Sequence, residues 1–347
     1  MVKPASKKSR SRRGWLIALA AVLVLIAAGA VYALPMLTKR APSRAIVVVP
    51  DSADMDQLAD TLTSRFGKDY SDATMRAARL MGSAFRLRPG AWEIKSGERA
   101  FSAARIIGRG RQYIVNLPLN NIRTADELAA RVASRMQMTA DELLDRLDDP
   151  ATLAPYGLTP ADAMALFIAD NYELYWVTSP EDFIGKIGER YRRFWTPERV
   201  RKASALGLTP AQTATLASIV DEETNKADEK GRVGRLYLNR LAKGMRLQAD
   251  PTVKFAVGDF GIKRVTKTHL DVASPYNTYR NAGLPPGPIR ITDPRTVDAI
   301  LDSQPTDEIY MCARADLSGY HDFTSSYDEH LSNARRYQEK LNELQIK

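Results

Sequence analysis

The chain has 347 residues, 44% hydrophobic and 26% charged, with 50 Lys and Arg against 41 Asp and Glu, and with 20 Gly and 19 Pro. This excludes a collagenous, low-complexity or wholly disordered chain and leaves room for one large domain or two to three small ones. The formal charge of +9 sits in residues 1–44, which hold nine Lys and Arg and no acid; residues 45–347 carry 41 of each sign, so the folded part has no global field for a polyanion and nucleic acid is not expected as a partner.

In chain order, the first element is an uncharged run from Trp15 to Leu34. As a helix at ~1.5 Å per residue it is about 30 Å long, the thickness of a hydrocarbon core. It predicts a single transmembrane helix over 15–36 behind a basic tail at 1–14. Six Lys and Arg precede the run and three follow it, which puts the N-terminus in the cytoplasm and residues 45–347 outside. The competing reading is a cleavable signal peptide with Val31-Tyr32-Ala33 as its cleavage site. The apolar run exceeds the ~7–15 residues of a signal core, which favours the anchor, and the working part is exported either way.

Ala45–Val49, closed by Pro50, predicts a buried strand. Met55, Leu58, Ala59, Leu62 and Phe66 then share one helical face, with Asp51 or Ser52 as cap and Gly67 as stop. A second helix follows near Asp72–Met81, then a turn at Arg88-Pro89-Gly90 into a strand at Ala91-Trp92, and another strand at Tyr113-Ile114-Val115. Together these make a small α+β unit. Residues 118–210 are expected to be mostly helical, because Thr124, Thr139, Thr159, Ser179, Thr196 and Thr209 each begin a capping box or stand before a proline at the first helical position. Trp176 and Trp195 read as core, and Cys312, alone in the chain, as a small buried thiol.

The helix opened by Thr209 runs on to Asp221-Glu222-Glu223-Thr224. At 100° per residue Glu223 falls near Leu216 and Ile219, on the apolar face, whereas Glu222 points to a polar side with Thr215 and Ser218. A carboxyl on a buried face keeps its proton to higher pH, as a general acid requires. The bland alternative is that Glu223 is solvated at the helix end or paired with Lys226 or Arg232. A second helix spans Arg232–Lys243, and a loop over Met245–Thr252 follows. Two proline-stiffened loops, Ser274–Tyr279 and Gly283–Ile289, add aromatics and amides, groups better suited to a neutral, hydroxyl-rich sugar than to phosphate.

The strings SIVDEET (218–224), LYLNRL (236–241), GMRLQADPTV (244–253), SPYNTY (274–279) and GLPPGPI (283–289) resemble, in order and spacing, the MltG/YceG-like endolytic murein transglycosylases. The resemblance implies an α+β protein with an N-terminal transmembrane helix, a LysM-like α+β subdomain over 45–116, and a helical connection and mixed helical/β catalytic domain over 117–347 with its core at 205–347. It places the catalytic glutamate at the second acid of an E-x-E pattern, here Glu223, although this chain has Asp221 at the first acid and Glu222 between them. It implies cleavage of the MurNAc-β-1,4-GlcNAc bond without water, leaving 1,6-anhydro ends. Asn239, Arg240, Gln248, Asp250, Tyr276, Asn277 and Tyr279 match motif positions and are the expected substrate-binding residues, with loop bracing as the alternative for each.

His321 matches a Gly-x-His-x-Phe-like feature of the family and either lines the site or is structural. Asp250 is the second carboxylate if the protein is instead a hydrolase, although an Asp before Pro251 also suits a turn. The implied partners are peptidoglycan strands and membrane-bound glycan polymerases, at the inner membrane with the catalytic part periplasmic. No metal or other cofactor is implied: the three histidines lack metal spacing, and no H-E-x-x-H, G-x-S-x-G, P-loop or dinucleotide fingerprint occurs. The rival readings are a non-catalytic glycan-binding or scaffold protein of the wall machinery and a muramidase.

Overall fold

The computed structural model describes residues 12–344; most of the expected basic tail, residues 1–11, and the last three residues lie outside them. Helix α1 (Arg12–Thr38) contains the apolar run and has Pro35 inside its last turn. It is the one helix among the described residues long and apolar enough to cross a membrane. The chain then divides into two compact units, one reaching to Ile114 and including Tyr175–Val177, the other comprising Val115–Leu174 and the residues from Thr178 onward.

In the first unit, β1 (Ala45–Val49) leads to α2 (Met55–Phe66), α3 (Lys68–Met81), β2 (Gly90–Ile94) and α4 (Ala100–Arg109). The two strands pair antiparallel, Ala45 opposite Ile94 and Val49 opposite Gly90. Val47, Val49, Leu58, Leu62, Phe66, Trp92 and Ile107 form the core, each large side chain contributing roughly 1.5–3 kcal/mol of burial. The cap of α2 is Asp54, not Asp51 or Ser52. Its carboxylate accepts from the amides of Asp56 and Gln57 at 3.0 and 2.8 Å, and the Gln57 side chain returns a bond to the Asp54 amide. Helix α3 begins one turn earlier than expected, at Lys68. Gly67, with φ of 86°, ends α2 and turns the chain at once into the next helix.

The strand expected near Tyr113 is β3 (Ile114–Leu119). It pairs with β4 (Asp170–Tyr175) and not with β1 or β2. Between them lie α5 (Ala125–Ala133), α6 (Ala140–Asp148) and α7 (Pro150–Leu153). Then come α8 (Pro180–Phe194), α9 (Pro197–Ala205), α10 (Pro210–Glu223), α11 (Lys230–Ala242), α12 (Asp250–Val257), α13 (Lys267–Leu270) and α14 (Pro294–Leu301). The side chains of Thr139, Ser179, Thr196 and Thr209 each accept a backbone amide at the start of a helix, as the cap-before-proline and capping-box patterns require. The chain ends in the hairpin of β5 (Tyr310–Ala313) and β6 (His321–Thr324), with Ala313 opposite His321, followed by α15 (Tyr327–Glu343). Cys312 lies half-buried in β5 with a free thiol, which burial pushes up.

Helix α10 is buried from Thr213 through Asp221. The polar side expected from Thr215 and Ser218 does not face water. Their hydroxyls donate to the carbonyls of Ala211 and Thr215 at 2.9 and 2.7 Å, and Ser218 Oγ also accepts the amide of Ile289. Such local satisfaction lets small hydroxylated residues stand inside a core helix. Helices α11 and α14 approach closely beside it because Gly234 leaves space that a Cβ would need. That atom would stand 2.6 Å from Ile300 Cγ1.

Candidate active site

The last three residues of α10 carry three carboxylates, and the fold sends them in three directions. Asp221 is buried; its Oδ1 accepts from Lys230 Nζ at 2.6 Å and from Thr296 Oγ1 at 2.5 Å, and its Oδ2 from the amide of Asp293 at 2.9 Å. It therefore locks the end of α10 to the starts of α11 and α14. Glu222 accepts from Arg123 Nη2 at 3.1 Å and Arg290 Nη1 at 2.8 Å, tying in two loops. Both oxygens of Asp221 are thus engaged, and Glu222 is held between two guanidinium groups.

Glu223 is set apart. Tyr237 Oη, on the neighbouring α11, donates to its Oε1 at 2.7 Å. Burial pushes the Glu223 carboxyl up to about 7. The Tyr237 bond pulls the other way, the charge of Asp250 adds to the rise, and His321 and Lys254 oppose it. The two cations proposed as bland partners are engaged elsewhere: Arg232 pairs with Glu308, and Lys226 Nζ lies 4.5 Å from the centroid of the Tyr320 ring. A carboxyl that changes protonation near neutrality can both give and take a proton in one cycle.

The other charged groups that act on this carboxyl, Asp250, Lys254 and His321, come from α12 and β6. Asp250, exposed at the start of α12 and not in the expected loop over Met245–Thr252, accepts from Tyr279 Oη at 2.6 Å. Lys254 lies one turn further along α12. His321, at the start of β6, has its amide on Glu229 Oε1 at 2.8 Å and its Nδ1 3.0 Å from Glu229 Oε2. Glu229 is 6% exposed and fixes that ring. Gln248 is exposed, with φ of 51°, in the turn before α12. Tyr276 packs against Phe255 with the rings tilted, centroids 4.6 Å apart.

Three expected ligand-binding residues hydrogen-bond to the protein's own backbone. Asn239 Nδ2 donates to the carbonyls of Thr306 and Glu308, both at 2.9 Å. Arg240 Nε and Nη1 donate to the carbonyls of Ile309 and Leu247, both at 2.6 Å. Asn277, fully buried, donates to the carbonyls of Leu270 and Val272 and accepts the amide of Tyr279. Arg240 and Asn277 brace the loops that carry Gln248, Asp250, Tyr276 and Tyr279, while Asn239 braces the segment before β5. Tyr237 and Glu229 are not among the residues the sequence singles out. Neither position carries a local signal, because their partners lie 14 and 92 residues away.

A separate cavity of about 940 Å³ opens at the other end of α10, against Tyr156, Tyr191, Pro210 and Pro285. The helix has 14 residues, about 20 Å, between that cavity and Glu223. Asp162, its one lining carboxylate, is used in capping Thr159. Titratable chemistry belongs to the Glu223 end. Among the described residues no cluster of three His, Cys, Asp or Glu side chains could hold a metal ion.

A mixed helix-and-strand fold presents, at the end of a core helix, one partly buried carboxyl that accepts a hydrogen bond from a tyrosine on the next helix. The YceG-like family model matches residues 47–336, and the chain belongs to that family. It is 37% identical over 129 residues to an endolytic murein transglycosylase of Bacillus subtilis, covering 37% of this chain and 35% of that protein. It is 29% identical over 140 residues to one from Streptococcus pneumoniae serotype 2, covering 39% and 25%. The chain thus spans about a third or less of these relatives' length. A crystal structure of a yceG-like protein from Listeria monocytogenes shares the fold, with a TM-score of 0.54 and 23% identity over 84% of this chain and 99% of that one.

Proposed function

We propose that this protein is a membrane-anchored endolytic peptidoglycan transglycosylase with Glu223 as acid and then base. The observation that carries this reading is the Glu223 carboxyl, raised to about 7 by burial and held through Oε1 by Tyr237, in a chain whose relatives are named endolytic murein transglycosylases. Protonated Glu223 donates to the glycosidic oxygen between MurNAc and GlcNAc as the C1–O bond breaks. The muramic C6 hydroxyl attacks C1 and its proton passes to the Glu223 carboxylate, which restores the acid. One strand leaves with a 1,6-anhydro end, the other with a free 4-hydroxyl, and no water is consumed. In this reading the substrate's own 2-acetamido group assists at C1.

Gln248, Asp250, Tyr276 and Tyr279 supply the saccharide contacts in this reading, while Arg240 and Asn277 shape the loops that present them and Asn239 braces the segment before β5. The catalytic part, 117–347, works outside the inner membrane. Helix α1 is the single-pass anchor with its N-terminus in the cytoplasm, and residues 45–116 form the LysM-like subdomain. Membrane-bound glycan polymerases, which make the substrate, are the expected partners. Asp250 stands near enough to raise the Glu223 carboxyl, which makes a muramidase the specific rival.

Digestion of peptidoglycan by the detergent-solubilised chain, with products read by mass spectrometry, tests the assignment. Anhydro ends support it. Reducing ends would make the protein a hydrolase with Asp250 as second carboxylate, and intact glycan would make it a binding or scaffold protein.

A further inference from the structure

The last turns of α1 are not a loose tether. Met36 is buried against Ala77 and Ala78 of α3 and Ala104 of α4. Arg76 of α3 stands over the ring of Tyr32, 5.6 Å from its centroid. The apolar helix Gly14–Thr38 has 25 residues, about 37 Å against a hydrocarbon core of ~30 Å. If α1 spans, its end and the parts of α3 and α4 packed on it meet the membrane surface.

Beside that exit is a cavity of about 550 Å³ whose lining includes Arg40, Lys95, Arg99 and Arg105, with Glu98 as the one acid. The side chains of Lys95, Arg99 and Arg105 form no hydrogen bond or ion pair among the described residues, and Arg40 donates only to the carbonyl of Gly97 at 3.1 Å. Neighbouring cations are neutralised: Lys39 pairs with Asp69 at 2.6 Å and Arg44 with Glu93 at 2.5 Å. Four cations around one concavity repel one another unless an anion enters. The same lining includes two apolar side chains, Leu37 at 53% and Phe101 at 36% exposed. Exposed cations beside exposed apolar groups at a membrane exit match a phosphate joined to acyl chains.

We propose that this cavity binds the headgroup phosphate of an anionic phospholipid in the leaflet where α1 emerges. Arg40, Lys95, Arg99 and Arg105 take the phosphate, and Leu37 and Phe101 meet the glycerol and first methylenes. The proposal rests on α1 spanning the membrane.

The test uses the full chain in a non-ionic detergent, titrated with short-chain phosphatidylglycerol, short-chain phosphatidylcholine or inorganic phosphate and read by native mass spectrometry. Each cation near an anionic lipid contributes about a factor of five. The triple variant Lys95→Ala, Arg99→Ala, Arg105→Ala should therefore bind phosphatidylglycerol on the order of 100-fold more weakly, with phosphatidylcholine unchanged. Replacing three exposed cations of the other unit, Lys186, Arg201 and Lys243, by Ala should leave binding as in the wild type. Equal losses in both variants, no loss in the first, or displacement of the lipid by an equal concentration of inorganic phosphate would each overturn the assignment. Alkaline carbonate extraction of membranes reports separately on the anchor. Release of the chain alongside retained lipid selectivity rejects the spanning reading alone, and retention without selectivity rejects the lipid pocket alone.

Discussion

Replacing Glu223 by Gln keeps the shape and the acceptor for Tyr237 Oη while removing the titration. In the folded protein burial holds this carboxyl at about 7, against 4.5 for an unperturbed glutamate. Below the lower value both folded and unfolded chains carry the proton, and Glu223 imposes no penalty. As pH rises through the interval the unfolded chain releases its proton first, so the wild type loses stability until the folded carboxyl ionises too. The full difference is about 3 kcal/mol. The Gln variant has no such loss, so its advantage should grow from a few tenths of a kcal/mol at about pH 4.5 to about 3 kcal/mol at about pH 8.5. With a urea slope of ~2 kcal/mol/M, that is a midpoint shift of about 1.5 M. Urea unfolding of the detergent-solubilised chain at both pH values, beside a peptidoglycan digest, measures the two consequences. The variant should release no anhydro ends at either pH. A stability difference that does not change with pH, or a Gln variant that still cleaves, would refute the assignment of Glu223 as a buried, protonated acid.

Tyr237→Phe removes the one hydrogen bond that lowers the Glu223 carboxyl. The alkaline limb of the pH-rate profile should move to higher pH while stability falls by about 1 kcal/mol; an unmoved limb would count against the contact. Asp221→Asn takes the charge from a carboxylate that is 4% exposed beside Lys230. Urea midpoints should show a loss of about 3 kcal/mol, with activity falling because the end of α10 is no longer fixed. Gly234→Ala drives a methyl against Ile300 and should cost about 1–3 kcal/mol in thermal or urea unfolding; a neutral result would show that α11 and α14 can part without loss.

Much of the fold is local and therefore readable. Helix starts at Thr139, Ser179, Thr196 and Thr209 depend on one hydroxyl reaching amides two or three residues on, so a few consecutive residues suffice to predict them. The same reasoning erred at Asp51, because three nearby residues can each cap a helix and only the chain's path from β1 selects Asp54. It erred at Thr215 and Ser218 because a hydroxyl bonded within its own helix is as content in a core as in water.

The candidate site divides along the same line. Periodicity alone put Glu223 on the apolar side of its helix, since angular position follows from 3.6 residues per turn. Local pattern likewise determined the apolar span of α1 and the separation of charge between the first 44 residues and the rest. Only tertiary structure decided that Asp221 and Glu222 are fastened while Glu223 is not, that Tyr237 rather than a cation meets the carboxyl, and that Asn239, Arg240 and Asn277 serve backbone carbonyls. Those outcomes depend on partners far apart in the chain and on how much water remains around each group, and a carboxyl's protonation follows its surroundings more than its neighbours in sequence.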